Sequence, residues 1–497
     1  MTVCEFFEDA EVFITGGSGV VGKAVVEKLL RSCNVKCIYL LLRTRKQLSA
    51  EQRLQKICED SIFEVLREQK PNELRKLVAI PGDVALPHLG IEPENMKRMA
   101  QVSIVFHCAA TVRFDEPIRV ALQLNVGGTF EALKFAETLL HLRVFVHVST
   151  FFSNPYLDTV ESKYYSSPME WRKCLQLAQT IKDDDMLNAL TRKLIVGFPN
   201  TYTFTKNLAE SLINDYRTRL PVIVYRPSIV LFSIREPVPG YAPSLTGAMG
   251  LFTLVGSGLL KTVYLGENIH LDLTPQDVGI KALLYFTQQG NETYKKGIPD
   301  ELLVYQVSSC TLIPFTFQQI AEEMDRQDVW YGAAFEKQLL LPGCIYTDNS
   351  WLYHFLVLTK QILPALFVDM LLILSGRKPA VMGIVRKLYL TLKVMQPFMF
   401  NNYSSSGITG LKQLLDDTRG TICDLDDEYL LTVTNERIIA ACKDMLHSIR
   451  RHRLKEDPST LRRSQRIMQI KVVIYNVVRL LLLYKLLSWL WRIIFPN

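Results

Sequence analysis

Short, nearly uninterrupted apolar runs punctuate the first half of the chain, at residues 12–14, 35–42 (VKCIYLLL), 77–80 (LVAI), 102–106 (VSIVF), 144–148 and 222–225. A strand with one wet face alternates apolar and polar residues, whereas these runs read as strands covered on both faces. Longer amphipathic stretches separate them. Val25, Val26, Leu29 and Leu30 share one helical face after the first run, and a period that starts near Asn125 continues through Leu133 and Phe135. Buried strands alternating with helices over short connections predict an α/β class, a Rossmann-type doubly wound parallel sheet. Ligands of such sheets gather at the carboxyl ends of the strands, so the residues that follow each run carry the candidate chemistry.

The first run opens into the turn that organises the chain, EVFITGGSGVVGKAVVEKLLR at residues 11–31. Thr15 closes the strand, Gly16, Gly17, Gly19 and Gly22 follow before the helix, and all five are expected at a cofactor. A pyrophosphate can sit against backbone N–H groups at such a helix N-terminus, where a β-carbon at Gly16 or Gly19 would hold it away and Gly22 lets helix and strand approach. The alternative is a bare packing turn. The second run ends in Arg43-Thr44-Arg45-Lys46, a basic cluster where the adenosine ribose belongs, which favours NADP over NAD. Asp83 after the third run could contact the adenine edge or serve only as a turn residue. His107-Cys108-Ala109-Ala110 after the fourth offers small residues, Ala109 among them, that let backbone approach the cofactor, and Asn125 opens the next helix. The fifth run ends in Ser149-Thr150. Tyr202 and Lys206, in NTYTFTKNLAE, stand four apart and share a helix face just before the sixth run. A phenol ionises near pH 10, so an ammonium one turn away is expected to lower that value, with Ser149 or Thr150 holding a substrate carbonyl against it.

The second half has a different texture. Residues 153–199 read as an insertion passing over the site, and 249–260 as a lining for an acyl tunnel, a bilayer contact or a plain buried helix. Residues 357–374 approach the length of a membrane span, although Lys360, Pro364 and Asp369 leave re-entrant, interfacial and core readings open. Residues 384–395 and 425–449 read as helices of a smaller all-α domain. The leading membrane candidate is a C-terminal membrane helix at 470–495, which follows the basic run 450–466; a tail anchor and an in-plane amphipathic helix both fit it. The expected division is a nucleotide-binding domain over 1–300, a connecting segment over 301–350, a helical domain over 351–455 and the anchor at 470–495.

Composition narrows the classes. At 497 residues and 48% apolar the chain exceeds one ordinary domain and can bury a large core. Its net charge of +7 is concentrated before the apolar C-terminus, which points to an anionic membrane surface and not to nucleic acid. Ten scattered cysteines without paired spacing fit a reducing compartment, and no metal site is expected. The acidic start, MTVCEFFEDAEV, lacks a signal peptide's basic end, so the catalytic part is expected to face the cytosol.

These motifs together resemble the extended short-chain dehydrogenase/reductase superfamily and, within it, the fatty acyl-CoA reductases. The resemblance runs through TGGSGVVGKAVVEKLL, LLLR, HCAATVRFDEP, LNVGGT, HVSTFFSN, YTFTKNLAE, VYRPSIV, REPVPG and LDLTPQDV, and into WLYHFLVL and GRKPAVM of the second half. It implies NADPH-dependent reduction of long-chain acyl-CoA to a primary alcohol at a peroxisomal or endoplasmic reticulum membrane. By the same likeness Tyr202 is the proton donor, Lys206 orients the nicotinamide ribose, Ser149 or Thr150 polarises the carbonyl, and Gly16, Gly19 and Gly22 carry the phosphates. Where the family continues after REPVPG with a Trp and an Asp-Asn pair, this chain has YAPSLTGAMG, with Tyr241 as the available aromatic. A sterol or nucleotide-sugar dehydrogenase or epimerase, and a non-catalytic NADP(H)- or lipid-binding membrane protein, are the alternatives.

Overall fold

The computed structural model describes residues 2–44, 48–270, 272–308, 315–326, 328–338, 340–405, 415–423 and 434–495. Arg45 and Lys46 of the basic cluster, Leu271 of the LDLTPQDV motif and the first part of the expected helix 425–449 lie outside them. The chain divides into two compact units, one of residues Met1–Pro243, His270–Phe315 and Asn401–Thr434, the other of Ser244–Ile269, Thr316–Phe400 and Asn435–Asn497. The units are interleaved along the chain, where the sequence reading lays its domains end to end.

The first unit is built on a seven-stranded sheet: β1 (Glu11–Thr15), β2 (Cys37–Leu42), β3 (Leu77–Pro81), β4 (Val102–His107), β5 (Val144–Val148), β6 (Val222–Pro227) and β7 (Leu303–Val307). All are parallel, in the order β7-β6-β5-β4-β1-β2-β3. Six of them fall on the apolar runs. β7 does not, because Tyr305 and Gln306 interrupt its apolar residues; it falls in the expected connecting segment 301–350.

Alternate strand residues feed opposite faces. Val12, Ile14, Leu40 and Phe106 pack with helices α1 (Val20–Ser32) and α5 (Gln276–Lys296) on one side. Phe13, Val105, Phe145 and Val224 meet α3 (Gly128–Glu137) and α4 (Thr201–Tyr216) on the other, with α2 (Ala50–Cys58) following β2 in the chain. The register aligns Thr15 with His107 and His107 with His147, a polar row at the carboxyl edge of the sheet. The insertion forms helices Trp171–Thr180 and Asp184–Leu194, and its Trp171 ring packs 5.4 Å from Phe130.

In the second unit, Gly247–Gly256 is a buried helix: Met249, Leu251, Phe252 and Val255 are covered, and a Cβ on Gly256 would stand 2.9 Å from Phe335. Among the described residues, the helix long and apolar enough to cross a membrane by length and composition is α6 (Ser350–Leu374), whose best 18-residue window has a mean hydropathy of 1.9. It carries a π-turn at Leu358–Ile362 and is followed by α7 (Val381–Met399). The stretch 470–495, ranked first from the sequence, forms the distal part of α8 (Leu461–Ile494). Near its start Lys471 donates to the Gln338 carbonyl at 2.6 Å, and beyond it Leu480, Leu482, Tyr484 and Trp491 are more than half exposed.

Candidate active site

The glycine turn is shaped by its neighbours before any ligand is considered. Gly16 has φ +72°, and a Cβ there would lie 2.6 Å from the Ala109 amide nitrogen, so the strand end beside it excludes every side chain. A Cβ on Gly22 would lie 2.4 Å from the Gly16 carbonyl oxygen; one on Gly17 would press on a Leu40 methyl at 2.8 Å. Gly19 begins α1 with no side chain capping the first turn, an arrangement that suits phosphate oxygens. The residues present therefore fit a dinucleotide at this turn. Behind it, Gln276 donates to the Val20 carbonyl at 3.0 Å, and Glu236 of REPVPG meets Lys28 at 2.9 Å, Arg31 at 2.6 Å and Lys281 at 2.5 Å. Burial raises the Glu236 carboxyl, but Lys28 and Lys281 outweigh it and hold it at about 2. The Asp277 carboxylate accepts from the Ile234, Arg235 and Glu236 amides. Two of the quoted motifs thus form a clamp behind the helix that carries the turn.

At the ribose end, Arg43 and Asp83 find each other, with nitrogen and oxygen 3.6 Å apart. Arg53, which the sequence reading passed over, donates to the Arg43 carbonyl at 2.6 Å and brings a second guanidinium to the end of β2. Its position on α2, ten residues from Arg43, gave no motif to find it by.

The polar row closes on itself except at the buried His147, whose two ring nitrogens have no hydrogen-bond partner. The Ala109 amide donates to Thr15 Oγ1 at 3.2 Å, and the Thr15 hydroxyl reaches His107 Nδ1 at 2.9 Å. His107 Nε2 lies 3.0 Å from Thr129 Oγ1, whose hydroxyl donates to the Asn125 carbonyl at 2.7 Å. Each hydroxyl has one proton to give, so this chain places the imidazole proton on Nε2. Burial, with Lys206 adding to it, holds His107 down at about 3, a neutral ring. Thr15, expected at the cofactor, thus has its hydroxyl committed to the scaffold. Asn125 is committed as well: it accepts from the Thr111 amide at 2.8 Å and donates to the Thr111 carbonyl at 3.1 Å and to Thr205 Oγ1 at 2.9 Å. It sits in a π-helical turn, Leu122–Gly127, and ties the segment after β4 to α4.

The two hydroxyls at the end of β5 go different ways. Ser149 Oγ donates to Glu210 Oε1 at 2.5 Å. Glu210 is held by Arg226 in a two-pronged pair, 2.9 Å from Nε and 2.6 Å from the terminal nitrogen, with both side chains fully buried. Thr150 Oγ1 accepts from the Phe152 amide at 3.3 Å and lies close enough to the Tyr202 phenol to favour its ionisation. Burial pushes that phenol up to about 12, with Thr150 acting against it. Lys206 is not among the groups that lower it, contrary to the expectation from spacing, because its Nζ is drawn to the Val148 carbonyl at 2.6 Å. Burial in turn lowers Lys206 to about 8, opposed by Cys108 and Glu210. The Tyr202 ring stacks on Phe114 at 5.8 Å and keeps part of its surface open. Cys108 is pushed up to about 12 by burial, a protonated thiol and no nucleophile.

A parallel sheet with a glycine turn after β1 and a Thr, Tyr, Lys group at its carboxyl edge defines a Rossmann-fold oxidoreductase of the short-chain dehydrogenase/reductase kind. A family described as male sterility protein, an NAD-binding domain, matches residues 14–283. The chain is 32% identical to "Fatty acyl-CoA reductase wat" of Drosophila melanogaster over 97% of this chain and 92% of that one. It is 33% identical to "Fatty acyl-CoA reductase 1" of Xenopus laevis, over 81% and 77% of the two chains. The chain belongs to the fatty acyl-CoA reductase family. Among solved structures, the terminal R domain of the myxalamid pathway matches with TM-score 0.60 at 18% identity, covering 89% of this chain and 91% of that one. A reductase domain of a non-ribosomal peptide synthetase from Mycobacterium tuberculosis matches with TM-score 0.56 at 16% identity, over 89% and 92%. Both share the fold.

Proposed function

We propose that the protein reduces long-chain fatty acyl-CoA to a primary alcohol and free CoA with NADPH. The observation that supports this most is the Thr150, Tyr202 and Lys206 group beside the glycine turn in a chain of this family. NADPH, held by Gly16, Gly17, Gly19 and Gly22 at its phosphates and by Arg43 and Arg53 at the ribose phosphate, would supply hydride. NADPH over NADH is favoured by those two guanidinium groups at the end of β2.

The chain's own part follows from its protons. Thr150 and Tyr202 donate to the thioester oxygen, and as the carbonyl carbon becomes tetrahedral the charge gathering on that oxygen is met by two positioned hydroxyls. Tyr202 is protonated over the whole working range, so it can give its proton, and Lys206, charged below about pH 8, stands beside it to orient the nicotinamide ribose. The protonated hemithioacetal expels CoA as its thiol and leaves an aldehyde. A second hydride, which a second NADPH would supply, reduces that carbonyl while Thr150 and Tyr202 again donate to its oxygen, and the alcohol results. No covalent enzyme intermediate is required. The apolar helix α6 favours membrane association, with the catalytic unit facing the cytosol at a peroxisomal or endoplasmic reticulum membrane, where long-chain substrates and products partition.

The test is turnover of detergent-purified protein with NADPH, NADH and a panel of acyl-CoA thioesters, following cofactor and lipid products together. Alcohol formation with about two NADPH per thioester is expected; cofactor binding without consumption of any acyl-CoA would overturn the reading. Tyr202→Phe should lower kcat by about 10²–10⁴ with NADPH affinity nearly unchanged, and wild-type turnover would remove Tyr202 as donor.

A further inference from the structure

The last part of α6, Leu363–Leu374, is apolar on every exposed side. Leu363, Leu366, Phe367, Met370, Leu371 and Leu374 are 48–77% exposed, and within Leu363–Leu374 only Ala365 and Asp369 are buried. A helix facing water carries polar residues on its outer face, so this one is shaped for another solvent.

The turn that follows is built for the same solvent. The Ser375, Gly376 and Arg377 amides close back onto the Leu371, Ile373 and Leu372 carbonyls at 3.0, 2.9 and 2.8 Å, with Gly376 at φ +74°. At the start of α7, Asp369 Oδ1 accepts from the Ala380 and Val381 amides, each at 2.9 Å, and Oδ2 accepts from the Met382 amide at 2.9 Å. One carboxylate from the middle of the apolar helix thus serves amides that water would otherwise serve. Among acyl chains no such water exists, and each unserved amide is costly.

The charges identify the surface. Between residues 350 and 399 the cations are Lys360, Arg377, Lys378, Arg386, Lys387 and Lys393, all exposed, and the sole acid is Asp369, spent on the turn. Arg386 and Lys393 stand seven apart and share a stripe on α7. Cations within α7 disfavour its crossing the hydrocarbon core.

We propose that the α6–α7 hairpin docks on an anionic lipid bilayer and lies in the plane of one leaflet. α6 sinks about 5–10 Å, to the boundary of headgroups and acyl chains, and the Arg386 and Lys393 stripe meets headgroup phosphates. This rests on the membrane association proposed above and assigns it an element and an orientation.

The test dilutes the full chain from detergent into preformed phosphatidylcholine vesicles with and without phosphatidylserine. A Lys378→Cys variant should react with a membrane-impermeant maleimide added outside, read at that peptide by mass spectrometry. A fluorophore on a Phe367→Cys variant should lose most of its emission to lipids brominated near the headgroup, and less to lipids brominated near the chain end. Both should bind the phosphatidylserine vesicles more strongly. Protection of position 378 until the vesicles are lysed would mean a spanning hairpin and overturn the proposal. An unquenched fluorophore at 367 on bound protein would mean that protein, this chain's or a second copy's, covers α6, and would overturn it equally. Acyl-CoA reduction by the same variants in detergent is a separate readout, so a failed docking test leaves the catalytic reading standing.

Discussion

At the carboxyl edge of the sheet, Thr15, His107, Asn125, Thr129, Ser149 and Glu210 spend their hydrogen bonds on one another and on backbone. In the α6–α7 hairpin a single carboxylate spends its bonds on three backbone amides, while large apolar side chains stand exposed around it. Both regions are dry by design, for opposite reasons. The first fills a protein interior with polar groups that mostly partner one another, which on the proposed reading keeps water from a reacting carbonyl. The second dispenses with water at a helix turn. On the proposed reading the edge leaves the Thr150 and Tyr202 hydroxyls over for a substrate, whereas Asp369 is spent wholly on its turn.

The sharpest break in this comparison is between neighbours. Thr150→Ala should lower kcat by about 10²–10³ with NADPH affinity kept, since a donor to the developing oxyanion is lost. Ser149→Ala should change kcat less than about tenfold, because its hydroxyl serves Glu210 and not the substrate. The reverse order in steady-state kinetics would return Ser149 to the catalytic set. The sequence could not decide between them. Adjacent strand residues point to opposite faces, but which face holds Tyr202 depends on where α4 crosses the sheet, and no spacing reveals that.

Glu210→Ala probes the partnered interior itself. Removing one member of a fully buried pair leaves the Arg226 guanidinium charged with only the Glu161 carbonyl to accept from it, and unfolding stability should fall by about 3–5 kcal/mol in a denaturant titration. The exposed Arg172–Asp215 pair, cut by Asp215→Ala, should cost less than about 1 kcal/mol. Equal losses would show that Glu210 is not the organising acid of the site. This pair explains why the candidate site was only partly legible. Thr150, Tyr202, Lys206 and the glycines announce themselves through patterns that chemistry fixes at short range. Glu210, Arg226, His107 and Arg53 acquire their roles from contacts between distant segments, and each alone reads as an ordinary charged or aromatic residue. The fold shows the same division: the six apolar runs became strands, and β7, interrupted by Tyr305 and Gln306, did not declare itself.

A smaller effect comes from pH. Lys206 faces Cys108, Glu210 and the two neutral histidines His107 and His147, and burial lowers it to about 8. As pH rises through that value the ammonium is lost, so kcat/KM should be level below it and fall about tenfold for each further unit. Glu210→Gln removes a charge that favours the ammonium and should move the fall to lower pH. A profile whose fall stays in place in that variant would assign it to another group. The stability linkage has the opposite sign. The unfolded chain keeps the Lys206 proton up to about 10.4, so between about 8 and 10.4 this residue makes folding more favourable as pH rises, while catalysis declines.

The smallest effect on catalysis, and the one that separates the two regions most cleanly, is expected from Asp369→Ala. In detergent the variant should reduce acyl-CoA like the parent, because Asp369 takes no part in the sheet-edge site. Its thermal midpoint should drop only modestly, since an exposed turn can borrow water for the Ala380, Val381 and Met382 amides. On anionic vesicles that loan is not on offer. The amides must then stay unpartnered or draw the turn out of the leaflet, so binding should weaken more than stability does. Asp369→Asn, which keeps an acceptor oxygen, should fall between the two. Equal losses of stability in detergent and of vesicle binding would reduce Asp369 to a helix cap with no bearing on lipid.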